Sequence, residues 1–155
     1  MPEHAFAAIG ERLTQALIGG DFAMYSGLFA LPLTVTPRGD LSYVIQTEAA
    51  LRADFDLYHI NISGRGVTDI FRQVLDIKRL DPSRTKVRVL THIMVRAQRI
   101  IDPFETHFFL VEQADVWRIY QIESSGGHIN WSLGRSDILA GSFVPKEKGD
   151  GDDKA

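Results

Sequence analysis

Residues 67–124 read VTDIFRQVLDIKRLDPSRTKVRVLTHIMVRAQRIIDPFETHFFLVEQADVWRIYQIES, and this stretch decides the fold. Apolar and polar residues alternate through most of it, the period of a strand with one buried face. Three turn-forming clusters interrupt the alternation: Asp81-Pro82-Ser83, Asp102-Pro103 and Ala114-Asp115. They predict four long strands, over Val67–Arg79, Thr85–Ile100, Phe104–Gln113 and Val116–Ser124. Upstream the period is helical. Phe6, Ile9, Leu13, Ala16 and Leu17 make one apolar face between Glu3 and Ile18, ending at Gly19-Gly20. Asp21 is placed to cap a second helix with the stripe Phe22, Tyr25, Leu28 and Phe29, stopped at Pro32. Leu33–Thr36 and Leu41–Gln46 flank the turn cluster Pro37-Arg38-Gly39-Asp40 and predict a hairpin. Thr47 then caps a third helix with the face Leu51, Phe55, Tyr58 and His59, as far as Gly64-Arg65-Gly66. Helices first and a strand meander second give an α+β layout, with three N-terminal helices packed on one face of a mainly antiparallel sheet.

The chain's 155 residues suit a single core, expected over residues 1–144. Trp131–Leu139 is expected to form a short helix. Residues 145–155 are expected to be a disordered tail, since Lys146–Ala155 carries seven charged residues and two glycines. Seventeen Lys plus Arg against twenty Asp plus Glu leave a net charge of -3, without the basic excess that drives binding to a phosphate backbone, so no nucleic-acid partner is expected. The absence of cysteine excludes disulfides, thiolate nucleophiles and sulfur-ligated zinc, and fits a cytoplasmic setting. The opening MPEHAFAAIGERLTQ has neither a basic nor a continuous apolar region of a signal peptide, and no run reaches the ~18–20 apolar residues that span a bilayer, so no membrane association is expected.

Tight turns would pair Ile77 with Val87, Arg99 with Thr106, and Thr106 with Glu123, and this register assigns faces. The helix-covered face then holds an apolar centre interrupted by Asp69, Gln73, Thr91, Arg99, Thr106, Gln121 and Glu123, polar groups that need partners or a ligand once buried. Arg99, Thr106 and Glu123 fall in one row, an Arg–Glu pair over a small Thr. The outer face carries Leu90, Met94, Phe109, Val111, Tyr120 and Ile122, too apolar to be left in water, and a homodimer through this face is the simplest cover.

The text Leu13-Thr-Gln-Ala-Leu-Ile-Gly-Gly-Asp21, followed by Tyr25-Ser-Gly-Leu-Phe29 and later by Ala114-Asp-Val-Trp-Arg-Ile119, resembles the nuclear-transport-factor-two-like superfamily of cone-shaped α+β barrels, which includes ketosteroid isomerases, polyketide cyclases, scytalone dehydratases and limonene epoxide hydrolases. The resemblance covers about Phe6 to Ser125 and implies a helix-capped pocket inside a curved sheet, often with dimerisation through the outer face. Catalytic groups do not carry over from the isomerases: Leu13 stands where they have a tyrosine, Thr36 where they have the aspartate base, and Phe108–Val111 is wholly apolar where they have a second acid. Glu123 lies near the late-strand aspartate of the cyclase-like members.

Five histidines do not form a metal-ligand pattern: there is no HExxH, and no metal or other cofactor is expected. Gly64-Arg65-Gly66 lacks the preceding strand of a dinucleotide loop. His128 is either a lid residue or a solvated loop histidine. Tyr25 either turns its hydroxyl into the cone or packs its ring beside one polar partner. Asp69 is either a desolvated base or a carboxylate satisfied at the open end. Two functions follow. The first is a pocket for a small, largely apolar organic molecule, with metal-free proton-transfer or hydration chemistry as an option, bound through Tyr25, Asp69, Gln73, Arg99, Gln121 and Glu123. The second is a dimerisation or protein-interaction module whose cone is filled by Phe71, Phe108, Leu110 and Trp117. The number of polar residues assigned to the covered face favours the pocket.

Overall fold

The computed structural model describes residues 1–38 and 41–124. The expected short helix at Trp131–Leu139, the charged tail and His128 lie outside the described residues. Helix α1 spans Glu3–Gly19 and buries Phe6, Ile9, Leu13, Ala16 and Leu17. It ends because Gly20 takes a left-handed conformation (φ 71°) and returns its N–H to Ala16 O. Helix α2 is only Phe22–Ser26, capped by the Asp21 carboxylate, which accepts from the Met24 N–H at 3.1 Å. The expected longer helix is corrected here: Phe29 already opens strand β1 (Phe29–Arg38), and Pro32 lies within that strand. Strand β2 is Leu41–Ile45, and α3 is Glu48–Gly64, capped by Thr47 Oγ1.

Strands β3 (Asp69–Asp81), β4 (Arg84–Val95), β6 (Phe104–Gln113) and β7 (Val116–Ser124) follow the alternating stretch. The fourth expected boundary differs. Arg96 and Ala97 both take positive φ (50° and 70°), a two-residue turn that folds Gln98–Arg99 (β5) back onto Met94 and Val95. Such turns favour Asn-Gly, and Arg-Ala gives no compositional sign of one. The sheet order is β2-β1-β7-β6-β4-β3, antiparallel except where β1 runs parallel to β7. The curved sheet stays open rather than closing as a barrel, with the three helices on its concave side. Val87, Val89, Leu110 and Ile119 are fully enclosed beneath them, and Phe6 of α1 packs on Phe108 with ring centroids 5.4 Å apart. Among the described residues, no helix is long and apolar enough to cross a membrane.

Two bulges decide which side chains enter the cone. β3 and β4 pair Ile77 with Val87 as expected, but the register shifts between Val74 and Asp76, so that Ile70 meets Ile93 and Arg72 meets Thr91. β6 and β7 pair Glu112 with Trp117, then shift between Phe109 and Leu110, so that Phe108 meets Ile122 and Thr106 meets Ser124. Beyond each bulge the faces exchange.

Candidate functional site

The concave side encloses a cavity of about 70 Å³ with mainly apolar walls from Leu13, Leu17, Phe29, Leu33, Ile93 and Phe108, among others. Its polar wall groups are Tyr25, Asp54, Tyr58, Arg72, Thr91 and Thr106. Asp54 belongs to the buried face of α3, one helical step from Leu51 and from Tyr58, and is 4% exposed. Its Oδ1 accepts a hydrogen bond from Tyr43 Oη at 3.0 Å. Burial pushes the Asp54 carboxyl up to about 7, and the Tyr43 bond only partly opposes this. Burial first, and the neighbouring Asp54 charge second, hold Tyr25, Tyr43 and Tyr58 well above the usual phenol range. All three stay protonated near neutral pH and can donate.

Tyr25 stands where α2 meets α3. Its ring lies 4.6 Å from Phe29 and 4.7 Å from Phe55, it is 3% exposed, and its hydroxyl makes no hydrogen bond among the described residues. It feels the charges of both Asp54 and Arg72, which line the same cavity. Arg72 reaches under α1, donating through Nη1 to Gly10 O at 3.0 Å and Thr14 Oγ1 at 2.7 Å. As a residue it is only half-buried, because it borders both the cavity and a surface groove between α1 and β3. Desolvation falls on the guanidinium and lowers it to about 10, against the opposing influence of Asp69 and Tyr25, so it remains a cation at neutral pH.

Of the six residues expected to bind ligand, the structure brings only Tyr25 to the cavity. Asp69 and Gln73 face outward because of the β3 bulge, pairing with Met94 and Leu90, and Asp69 Oδ1 accepts from the Ile70 N–H at 2.8 Å. Arg99 is exposed on β5 opposite Met94, so the expected row with Thr106 and Glu123 does not form. Thr106 instead pairs with Val89 on β4, and its Oγ1 lies 3.0 Å from that of Thr91 inside the cone. Gln121 and Glu123 are turned outward by the β7 bulge. Gln121 Nε2 donates to Glu123 at 2.8 Å, and Glu123 Oε1 lies 3.7 Å from His107 Nδ1. The same shift carries Ile122, expected on the outer face, into the cavity wall. Phe71, expected to fill the cone, is also outside and 54% exposed. Asp54 and Arg72 escaped the sequence reading. An aspartate on the otherwise apolar α3 face was the available signal for Asp54, whereas nothing in the local text marks the bulge that turns Arg72 inward.

A sequence profile of the family described as NTF2-like protein (DUF6841) matches residues 3–126. No curated protein sequence matches the chain. Among solved structures, an NTF2-like protein of unknown function from Shewanella oneidensis MR-1 is similar over 81% of this chain and 99% of its own, with TM-score 0.60 at 15% identity. A protein from Streptomyces avermitilis, provisionally named a dehydratase of the NTF2-like family, is similar over 79% of this chain and 93% of its own, with TM-score 0.58 at 12% identity. One from Novosphingobium aromaticivorans DSM 12444, provisionally named a scytalone dehydratase, is similar over 78% of this chain and 80% of its own, with TM-score 0.55 at 13% identity. At these identities the likeness is one of fold. The helix order, the open curved sheet and the match over residues 3–126 agree, and the chain belongs to the NTF2-like protein family DUF6841.

Proposed function

We propose that the cone interior is a small-molecule pocket in which Asp54 transfers a proton to or from a small organic ligand, without metal or nucleotide. The observation that carries this reading is a buried carboxyl on the cavity wall, held near 7 by desolvation beside a donating phenol. A group with a pKa near the working pH serves as acid and as base, and such a group typically contributes ~10²–10⁴-fold in rate. Tyr25 and Tyr58, protonated and on the same wall, supply donors for charge that develops on a ligand oxygen. The provisional dehydratase names of two structural neighbours are compatible with proton-transfer chemistry. The cavity of about 70 Å³ is well below the range of pockets that take drug-sized ligands, so a steroid is too large and the fitting ligand is small.

That same small volume favours the competing reading, a non-catalytic interaction module with a cone filled by Phe108, Leu110 and their neighbours. Hydrogen–deuterium exchange of the protons next to the carbonyl in short ketones and oxo acids separates the two. The pocket reading expects catalysed exchange in the wild type and a loss of at least about 100-fold in Asp54→Asn. No exchange above background, together with no shift of cavity-wall amide resonances by any compound, would leave the filled module.

A further inference from the structure

Arg72 carries more than the proton-transfer reading requires. Its two hydrogen bonds to α1 both leave from Nη1, and among the described residues Nε and Nη2 make none and no carboxylate lies within ion-pairing distance of the group. Asp69, the nearest acid in sequence, spends Oδ1 on the adjacent backbone N–H; it lines the same groove and its charge is felt by Arg72, but the two form no ion pair. Among the described residues the enclosed orphan polar atoms are Thr85 Oγ1, His92 Nε2 and Ser124 Oγ; neither remaining donor of Arg72 is among them, so each opens onto the cavity or the groove that Arg72 borders. A cation in a mainly apolar wall, with no directly paired carboxylate among the described residues, is a place for an anion from outside. Tyr25 strengthens the case: it is buried, it lines the same cavity as Arg72 and Asp54, and its hydroxyl makes no hydrogen bond among the described residues.

We propose that the pocket takes a small monocarboxylic acid, its carboxylate held by the Arg72 guanidinium and the Tyr25 hydroxyl, and its hydroxyl or oxo group turned toward Asp54. The inference rests on the cone interior being a ligand pocket and adds the class of ligand. A carboxylate fits better than a phosphate: one guanidinium matches one negative charge, no second basic residue stands on the cavity wall among the described residues, and about 70 Å³ leaves little room beyond a short chain. The apolar walls from Leu13, Ile70 and Ile93 suit that chain. With its acid group anchored on Arg72, the carbon bearing the hydroxyl or oxo group faces Asp54, a wall carboxyl that burial raises to about 7.

The test titrates full-length protein with butanoate, 2-oxobutanoate and the neutral isostere butanamide at pH 6, where the Asp54 carboxyl is mostly protonated and both acids are ionised, following backbone amide resonances. The expected result is that both acids shift resonances of cavity-wall residues such as Leu13, Ile70 and Thr91, with Kd at least tenfold below that of the amide. Arg72→Met should bring acid and amide to equal affinity, and Arg72→Lys should keep part of the preference. Should the Arg72 variants not fold, the acid-to-amide ratio in the wild type still decides. Equal affinity of acid and amide in the wild type would refute the anion subsite and leave the pocket standing. Shifts confined to the α1–β3 groove would also overturn it. No shift with any of the three compounds at about 50 mM would remove the pocket reading, and this inference with it.

Discussion

Asp54 sets the pH behaviour of the fold. Its carboxyl rises from 3.8 to about 7 on folding, so between these values the native state holds a proton that the unfolded chain has released. Stability from this group is therefore complete below about pH 4, falls as pH rises toward 7, and is flat above that, a total of roughly 4 kcal/mol as an upper bound. Urea unfolding of the wild type and Asp54→Asn at pH 4.5 and 8 should show the wild type losing stability relative to the variant over that interval; parallel profiles would mean that the carboxyl is not perturbed. The Thr91–Thr106 pair follows different rules, because neither hydroxyl is charged. Thr91→Val leaves the Thr106 hydroxyl buried and unpaired and should cost about 1–2 kcal/mol, whereas the double change to valine should cost less than the sum of the two single changes. A double-mutant cycle by denaturant unfolding checks this, and strict additivity would show that the hydroxyls do not depend on each other.

Elements meet most tightly where α1 ends against α3. His59 Nδ1 lies 2.7 Å from Leu17 O, which fixes the imidazole beside Gly20. A Cβ at Gly20 would meet His59 Nε2 at 2.9 Å while the backbone there sits at φ 71°, so Gly20→Ala should cost about 2 kcal/mol or more from strain and displacement together. The preceding Gly19 is helical and nothing stands within 4 Å of its added Cβ, so Gly19→Ala should stabilise by about 0.5–1 kcal/mol. Opposite signs at adjacent glycines in thermal or urea unfolding are the expected outcome, and equal destabilisation would contradict this account of the junction. The expected helices α1 and α3 were legible because long apolar faces and caps are local signals. Helix α2 was overextended because Leu28 and Phe29, buried as expected, enter the core from the following turn and from β1 rather than from a helix.

For the whole molecule, the outer sheet face remains the proposed homodimer interface, with its membership revised. Phe71, 54% exposed, joins Leu90, Met94, Phe109, Val111 and Tyr120, while Ile122 has gone inside and Gln121 and Glu123 have come out. Phe109 and Tyr120 pack edge to face at 6.2 Å, with Lys86 over the first ring and Arg84 over the second. Placing a second cation beside Lys86 by Phe109→Lys should turn dimers into monomers at micromolar concentration in sedimentation; a wild-type monomer under the same conditions would end the proposal. Alternation after Gly66 and helical periodicity before it were enough for the α+β class, because each strand or helix records its own buried face in its own residues. Pairing is another matter. The parallel contact of β1 with β7, the back-folded β5 and the two bulges depend on residues far apart in the chain, and a one-residue shift reverses every side chain beyond it. The sequence therefore determined most of the elements, most of the core and the place of Tyr25, while only the tertiary structure decided that Arg72 rather than Asp69 or Gln73, and Ile122 rather than Gln121 or Glu123, would join Tyr25 and Asp54 inside the cone.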